Sequence, residues 1–135
     1  DAGIGARAVL EGVAMSVRHV LETCSVCPEP ERTMRVAGGS ARDAGWNQIR
    51  ADVTGLTVEV VEQSEATLLG AAMLGAVGAG LYSDLPEASA MVRIGQRIAP
   101  DPAHTDLYNT LYARYRALYP ALSDVFSGAR LAHGA

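Results

Sequence analysis

The sequence predicts a helix-rich α/β fold with a short pair of parallel strands. Two short runs of β-prone residues, 33–37 and 56–62, are each followed by a segment whose apolar residues recur at helical spacing. Strands that alternate with helices are joined by crossover connections, which make neighbouring strands parallel. The remaining segments also carry helical periodicity, so the predicted order is helix, strand, helix, strand, helix, helix, helix.

Composition limits the classes of protein that fit. The chain has 135 residues, of which 49% are hydrophobic and 19% are charged, as expected for one globular domain and not for a disordered chain. The net charge of −4 argues against nucleic-acid or anionic-membrane partners, because these require a basic surface. Residues 66–81 are the most apolar segment, but they are few and largely Ala and Gly, which favours a buried helix over a membrane span.

The first residues contain no basic segment followed by an apolar run, so no secretory signal is predicted and we expect a cytoplasmic protein. The chain starts without Met and already inside a helical pattern, which suggests a fragment. Cys24 and Cys27 have C-x-x-C spacing, but a zinc site needs two further ligands and no second pair exists. We therefore predict no metal site, and thiols that are buried or incidental.

The first helix is predicted over residues 4–21, where valines recur along one line: Val9, Val13, Val17 and Val20. The first strand, 33–37, is stopped by glycines. In the second helix Asp43 can cap the start and Gly55 fits the C-terminal stop. Its apolar stripe consists of Trp46, Ile49 and Val53, and we expect Trp46 to be a packing residue.

The second strand, 56–62, is followed by a helix that Ser64 can cap and that ends near Gly80. A short helix is predicted to begin near Asp84 or Pro86, and residues 96–105 are predicted to form a loop. The last helix spans 106–122 and carries a tyrosine-rich stripe that we expect in the core: Tyr108, Leu111, Tyr112, Tyr115, Leu118 and Tyr119. The last residues, 127–135, are expected to be irregular.

Two strands are too few for an independent sheet, because both of its outer edges would remain unpaired. We therefore expect further strands from a missing part of the protein, or a partner chain that covers the edge. The carboxylates of Asp52 and of residues 59–65 are attributed to a solvated face. The histidines His19, His104 and His133 have no evident partners and are expected in exposed or packing roles.

The pair Gly38-Gly39, followed by Ser40, stands between a strand and a helix, which is the general geometry of nucleotide sites. Neither G-x-x-x-x-G-K-[ST] nor G-x-G-x-x-G is present. Within residues 38–48 the only cation is Arg42, against the acidic Asp43, so a nucleotide here would present its neutral nucleoside end rather than its phosphates. A plain turn without a ligand is the alternative.

Three segments together resemble the C-terminal domain of the FGGY family of carbohydrate kinases, which includes xylulokinase and glycerol kinase: residues 7–22, 34–82 and 111–122. The resemblance implies part of an actin-like, ribonuclease-H-like ATPase fold, in which ATP lies in the cleft between two large domains. On this basis residues 1–135 form the C-terminal nucleotide-binding part, and the N-terminal sugar-binding domain is absent.

The resemblance also implies site residues. Gly38 and Gly39 match the glycines of the family's adenosine motif, and Ser40 matches the small residue after them. Asp43 falls near the adenine, where relatives often carry Ser or Asn; a carboxylate can accept a hydrogen bond from the adenine amino group but cannot donate one. Glu65 and residues 68–72 match an element that packs behind the site.

By the same resemblance, the complete enzyme transfers the γ-phosphate of ATP, with Mg²⁺, to a hydroxyl of a sugar or polyol. The catalytic Asp, the phosphate loops and the sugar pocket match nothing in this chain, so we predict no turnover by the chain alone. The expected partners are ATP, the carbohydrate, and the missing N-terminal domain or a second copy of the chain. The alternative is a non-catalytic module that pairs with another chain through its strand edge.

Overall fold

The computed structural model describes residues 2–24, 33–63 and 65–132. Its elements in chain order are α1 (Ala2–Thr23), β1 (Thr33–Val36), α2 (Ala44–Thr54), β2 (Thr57–Val61), α3 (Ala66–Gly78), α4 (Leu85–Ala88), β3 (Ile94–Ile98) and α5 (Thr105–Ala132). Short 3₁₀ turns occur at Gly39–Arg42, Ser89–Met91 and Pro102–His104. The predicted caps of α2 are present: Asp43 caps its start and Gly55 ends it with φ +72°. Helix α4 begins directly after Asp84, in the predicted region, and the Asp84 side chain caps it.

The sheet has the order β1-β2-β3, with β1 parallel to β2 and β3 antiparallel to β2. The predicted parallel pair is confirmed. The loop predicted over 96–105 is wrong in its first part, because β3 runs to Ile98 and pairs with β2. This third strand comes from the chain itself and not from a missing part or a partner. Only Ile98 of β3 is buried, so the local pattern carried too little apolar signal to predict it.

Helix α2 lies between two apolar clusters. On one side it packs against α1 and α5 in a cluster of Ala14, Met15, Trp46, Val53, Tyr108 and Tyr112. On the other side Ala51 packs against the sheet residues Val58 and Ile98. Trp46 and Ala51 are five positions apart, which places them on nearly opposite faces of a helix. The prediction that Trp46 is a packing residue is confirmed.

Helix α5 lies along α1 through aromatic side chains that also make polar contacts. Tyr108 and Tyr112 are buried, and their hydroxyls donate to Glu11 (3.0 Å) and Glu22 (2.9 Å) of α1. The predicted core stripe is confirmed at these two positions, whereas Tyr119 is 73% exposed. The helix continues through Pro120 to Ala132, so residues 127–132 are not irregular. Residues 133–135, with His133, lie outside the described residues.

Helix α3 is exposed, although its composition predicted a buried helix. None of its residues is buried, and the side chains of Leu68 and Leu74 are 67% and 62% exposed. Within the described chain it contacts mainly α4 and the 3₁₀ turn after it, and no element covers its other faces. Ser64, the predicted cap, lies outside the described residues. The described part of the chain therefore contains no surface that buries the apolar side chains of α3.

Glu59 and Asp52 are not on a solvated face as predicted, since both are buried. Glu59, on the central strand, accepts hydrogen bonds from Arg35 Nε of β1 and Arg97 Nε of β3, each at 3.0 Å. Because the carboxylate is bonded to both neighbouring strands, it links all three strands of the sheet. Its position follows from strand register, which brings Arg35, Glu59 and Arg97 opposite one another.

Asp52 of α2 is the second buried carboxylate, with 3% of its side chain exposed. It accepts hydrogen bonds from Gln48 Nε2, Asp101 N and His104 Nδ1, each at 2.8 Å. The expectation that His104 has no partner is therefore wrong. Asp52 fastens the connection between β3 and α5 to the centre of the fold.

The ion pairs of Glu59 make stability depend on pH. The hydrogen bond from Arg35 lowers the pKa of Glu59 below its ordinary value of 4.5, and Arg97 acts in the same direction against the effect of burial. A lowered pKa in the folded state stabilises the protein above the unfolded pKa, and this contribution is lost as the pH falls through the folded value. Glu59→Gln is therefore expected to reduce the free energy of unfolding at neutral pH by about 1–3 kcal/mol.

Urea unfolding of the wild type and Glu59→Gln across the acidic range measures this difference. The deficit should shrink as the pH falls below about 4.5, where the unfolded carboxyl protonates. Glu62→Gln is the matched control, because Glu62 lies on the exposed surface just beyond the same strand. A deficit that stays constant down to the acid end of the titration would contradict the assigned role of the two arginines.

Candidate nucleotide site at the glycine turn

The candidate site is the glycine turn, residues 38–42, which connects β1 to α2. It begins just beyond Val36, at the carboxyl end of the parallel pair β1 and β2. Ligands of α/β proteins bind outside the carboxyl ends of parallel strands. Inside the turn, Ala41 N donates to Gly38 O at 3.1 Å, which closes the 3₁₀ turn Gly39–Arg42.

The two glycines are explained differently. Gly38 has φ +86° and ψ −173°, a conformation that residues with a Cβ rarely adopt. Gly39 has no positive φ, and a Cβ at this position would have no neighbouring atom within 4 Å. The fold of the described chain therefore requires glycine at position 38 but not at position 39. No described residue occupies the space into which a side chain at position 39 would project.

Asp43 closes the turn and starts α2. Its Oδ1 accepts a hydrogen bond from Trp46 N at 2.7 Å, so one carboxylate oxygen serves as the helix cap. The residue is exposed, and its Oδ2 has no hydrogen-bond partner within the described ranges. The same side chain can therefore cap the helix with one oxygen and accept a hydrogen bond from a ligand with the other.

Two further residues of α2 hold the turn, and neither was predicted from the sequence. Asn47 is buried, and its Nδ2 donates to Ala41 O at 2.7 Å. Arg50 donates from Nη1 to Asn47 Oδ1 at 2.8 Å and from Nη2 to Ser40 Oγ at 3.1 Å. Its guanidinium lies 4.3 Å from the centre of the Trp46 ring.

The available signal was the spacing on α2, where Arg50 follows Trp46 by four residues and Asn47 by three. Residues at these separations lie on the same face of a helix. Burial lowers the pKa of the Arg50 guanidinium, which remains a cation at neutral pH. The structure therefore adds a positive charge to a turn for which the sequence indicated only Arg42.

Gln63 follows β2, whose carboxyl end lies beside that of β1. Its side-chain Oε1 is buried and accepts no hydrogen bond from the described residues. Buried acceptors are normally satisfied, so this oxygen is suited to a donor from outside the described chain. Glu65 stands at the start of α3 without a side-chain capping bond, and a Cβ at Gly70 would meet no atom within 4 Å. The close packing predicted for residues 68–72 is thus not made among the residues that the structure describes.

Other features of the described chain lie away from the turn. A groove of about 470 Å³ between α1 and α5 is lined in part by His19, Leu118, Leu122 and Phe126. Across the described ranges, no group of three or more His, Cys, Asp or Glu could hold a metal ion. Cys24 is exposed, while Cys27 lies outside the described residues. No helix formed by the described residues is both long and apolar enough to cross a bilayer.

The capping role of Asp43 can be separated from ligand binding. Asp43→Ala removes the acceptor of Trp46 N and should lower the free energy of unfolding by about 1 kcal/mol. Asp43→Asn should retain most of the stability, because Asn also caps helices well. Urea unfolding without ligand measures both. Asp124→Ala, at an exposed position of α5, controls for the loss of one carboxylate. Equal stability of Asp43→Ala and the wild type would show that the cap contributes nothing.

Comparison with known proteins adds family relationships to this geometry. Residues 1–79 match the model of the C-terminal domain of the FGGY family of carbohydrate kinases. A ribulokinase from Mycolicibacterium smegmatis is 40% identical over 115 residues, which cover 84% of this chain and 20% of the relative. An autoinducer-2 kinase from Enterobacter sp. (strain 638) is 43% identical over 84 residues, which cover 62% of this chain and 16% of the relative.

Solved structures agree with these sequence relatives. The crystal structure of a xylulose kinase from Rhodospirillum rubrum superposes on 90% of this chain with a TM-score of 0.73 and 32% sequence identity. The match covers 25% of that kinase chain. The chain thus spans a quarter or less of the length of these three proteins.

Proposed function

Since the chain belongs to the FGGY family of carbohydrate kinases and carries part of its actin-like ATPase fold, we propose that the glycine turn binds the adenosine end of ATP. The chain would do so as the C-terminal part of a longer cytoplasmic enzyme. That enzyme would transfer the γ-phosphate of ATP to a hydroxyl group of a sugar or polyol.

The observation that carries the proposal is Gly39. Neither a positive φ nor a close neighbour in the described chain requires glycine at this position. A ligand that lies against the backbone would require a residue without a side chain there. Gly38 and Ser40 flank this position, and their backbone would pass beside the nucleoside. Asp43 Oδ2 would accept from the adenine amino group.

The glycine turn would bind the nucleoside of ATP and not its phosphates. Arg50 is engaged by Ser40 and Asn47, and the described residues contain no carboxylate cluster for a metal. Bound with ATP, Mg²⁺ would neutralise charge on the phosphates. In this proposal the groups that hold Mg²⁺, the phosphates and the carbohydrate, together with the catalytic base, belong to the rest of the polypeptide.

The exposed surface of the described chain supports this assignment of the other binding groups to the rest of the polypeptide. Helix α3 is exposed along an apolar surface that includes Leu68 and Leu74, and Gln63 Oε1 is buried without a donor among the described residues. Exposed apolar patches of this kind mark surfaces that another part of a protein covers. The remaining kinase polypeptide, including its N-terminal domain, is the partner we propose for this surface; a second copy of the chain is the alternative.

A non-catalytic assembly module is the second candidate function. It is favoured by β1, an edge strand whose outer side has no neighbour within the described residues. Such an edge can pair with a strand of another chain. The sequence that precedes residue 1 in the source protein distinguishes the two, because a kinase requires an upstream domain with phosphate-binding loops.

Gly39→Val tests the site directly. A side chain at position 39 would occupy the space of the nucleoside, so we expect ATP, ADP and adenosine to bind about tenfold or more weakly, equivalent to about 1.4 kcal/mol or more. Calorimetric titration measures this. Gly5→Val on α1, where a Cβ also meets no atom within 4 Å, is the matched control. Undiminished binding by Gly39→Val would contradict the role of Gly39.

The division of labour predicts that the 135-residue chain alone has no kinase turnover. In the proposed function, the groups that position the phosphates in line with an attacking hydroxyl belong to the rest of the polypeptide, and this positioning supplies most of the catalysis of phosphoryl transfer. A coupled ADP-release assay with a panel of sugars and polyols measures it. The complete polypeptide, assayed in parallel, is the positive control. Carbohydrate-dependent ADP release by the chain alone would contradict the prediction.

A further inference from the structure

Arg50 links the glycine turn to α2 through a chain of three hydrogen bonds, which the backbone between Ser40 and Ala41 closes into a ring. The ring runs from Ser40 Oγ through the guanidinium to Asn47 Oδ1, and from Asn47 Nδ2 to Ala41 O. We infer that Arg50 is a positioning residue that holds the glycine turn in the shape that receives the nucleoside. The ligand part of this inference rests on the proposed function; the positioning part does not.

The turn needs such a restraint because it begins with two adjacent glycines. The backbone hydrogen bond from Ala41 N to Gly38 O closes over the exposed Gly39, next to Gly38 with its positive φ. Glycine loses more conformational entropy on ordering than other residues, so a glycine turn without outside contacts samples many shapes. The bond from Arg50 to Ser40 restrains the turn immediately after Gly39.

Arg50 also fixes the orientation of Asn47. The side-chain amide of asparagine has one accepting and one donating end. Because Arg50 donates to Oδ1, the Nδ2 end is directed at Ala41 O, and the bond to the turn is 2.7 Å long. Removal of Arg50 would leave the buried Oδ1 without this donor and allow the amide to turn. Arg50 therefore acts on the turn at two points, Ser40 and Ala41.

Arginine is suited to this role by its shape as well as its charge. Its planar guanidinium reaches two acceptors with two different nitrogens while it lies 4.3 Å from the Trp46 ring centre. Lysine carries the same charge on a single nitrogen and cannot reproduce this planar, stacked geometry. A lysine at position 50 should therefore keep the charge near the turn but lose its fixed shape.

The experiment uses the complete kinase polypeptide with Arg50→Met, Arg50→Lys and the control Arg114→Met. Arg114 is exposed on α5, so its loss removes the same charge away from the turn. Hydrogen exchange of the backbone amides of residues 39–42, without ligand, reports the shape of the turn. We expect exchange about fivefold or more faster in both Arg50 variants and unchanged in Arg114→Met.

Binding and kinetics test the consequence for the ligand. Adenosine affinity should fall about fivefold or more in both Arg50 variants, and the KM for ATP should rise with little change in kcat or in the KM for the carbohydrate. Thermal unfolding of each variant separates this local effect from general destabilisation, which would lower the active fraction and so reduce the apparent kcat.

Each result has a defined meaning. Unchanged exchange in Arg50→Met overturns the inference whatever happens to binding. Full recovery of exchange and affinity in Arg50→Lys also overturns it, because charge alone would then suffice. If the wild type binds no adenosine, the proposed function fails and the ligand part fails with it. Faster exchange in both Arg50 variants would still support the restraint of the turn by Arg50.

Discussion

The burial of α2 on both sides is the constraint on which the rest of this structure depends. Trp46 and Val53 face α1 and α5, while Ala51 faces the sheet, so the helix cannot shift toward either layer without breaking contacts with the other. The glycine turn ends at Arg42, and only Asp43 separates it from the start of α2. The position of the candidate site relative to β1 is therefore set by the packing of this one helix.

Buried polar groups complete what apolar packing begins. Asn47 bonds the neighbouring glycine turn to α2, whereas Asp52 and Glu59 connect elements that are distant in sequence: α2 with the connection between β3 and α5, and the three strands with one another. A buried charge costs free energy unless it is paired and hydrogen-bonded, and both carboxylates have such partners. Their effect is to select one arrangement of helix, strand and turn, since any other would leave these groups unsatisfied.

The described structure leaves several surfaces and groups without partners, which agrees with the match of the chain to only part of its relatives. Its apolar helix α3 is exposed, β1 and β3 are edge strands, and Gln63 Oε1 lacks a donor in the described chain. The chain spans 25% of the length of the xylulose kinase to which it is similar. In the function proposed above, the open glycine turn would bind one end of the nucleotide and the remainder of the polypeptide would supply catalysis.

Features that depend on neighbouring residues could be predicted from the sequence alone: the capping of α2 by Asp43 and Gly55, the core position of Trp46 and the parallel pairing of β1 with β2. The motif order also identified the family. The tertiary structure alone decided that β3 joins the sheet, that Asp52 and Glu59 are buried, that α3 is exposed and that Arg50 reaches Ser40. These outcomes depend on which distant groups meet. The local sequence around a carboxylate, or of a glycine-containing helix such as α3, is the same whether a partner or water covers it. Burial depends on how the whole chain packs and not on the local pattern.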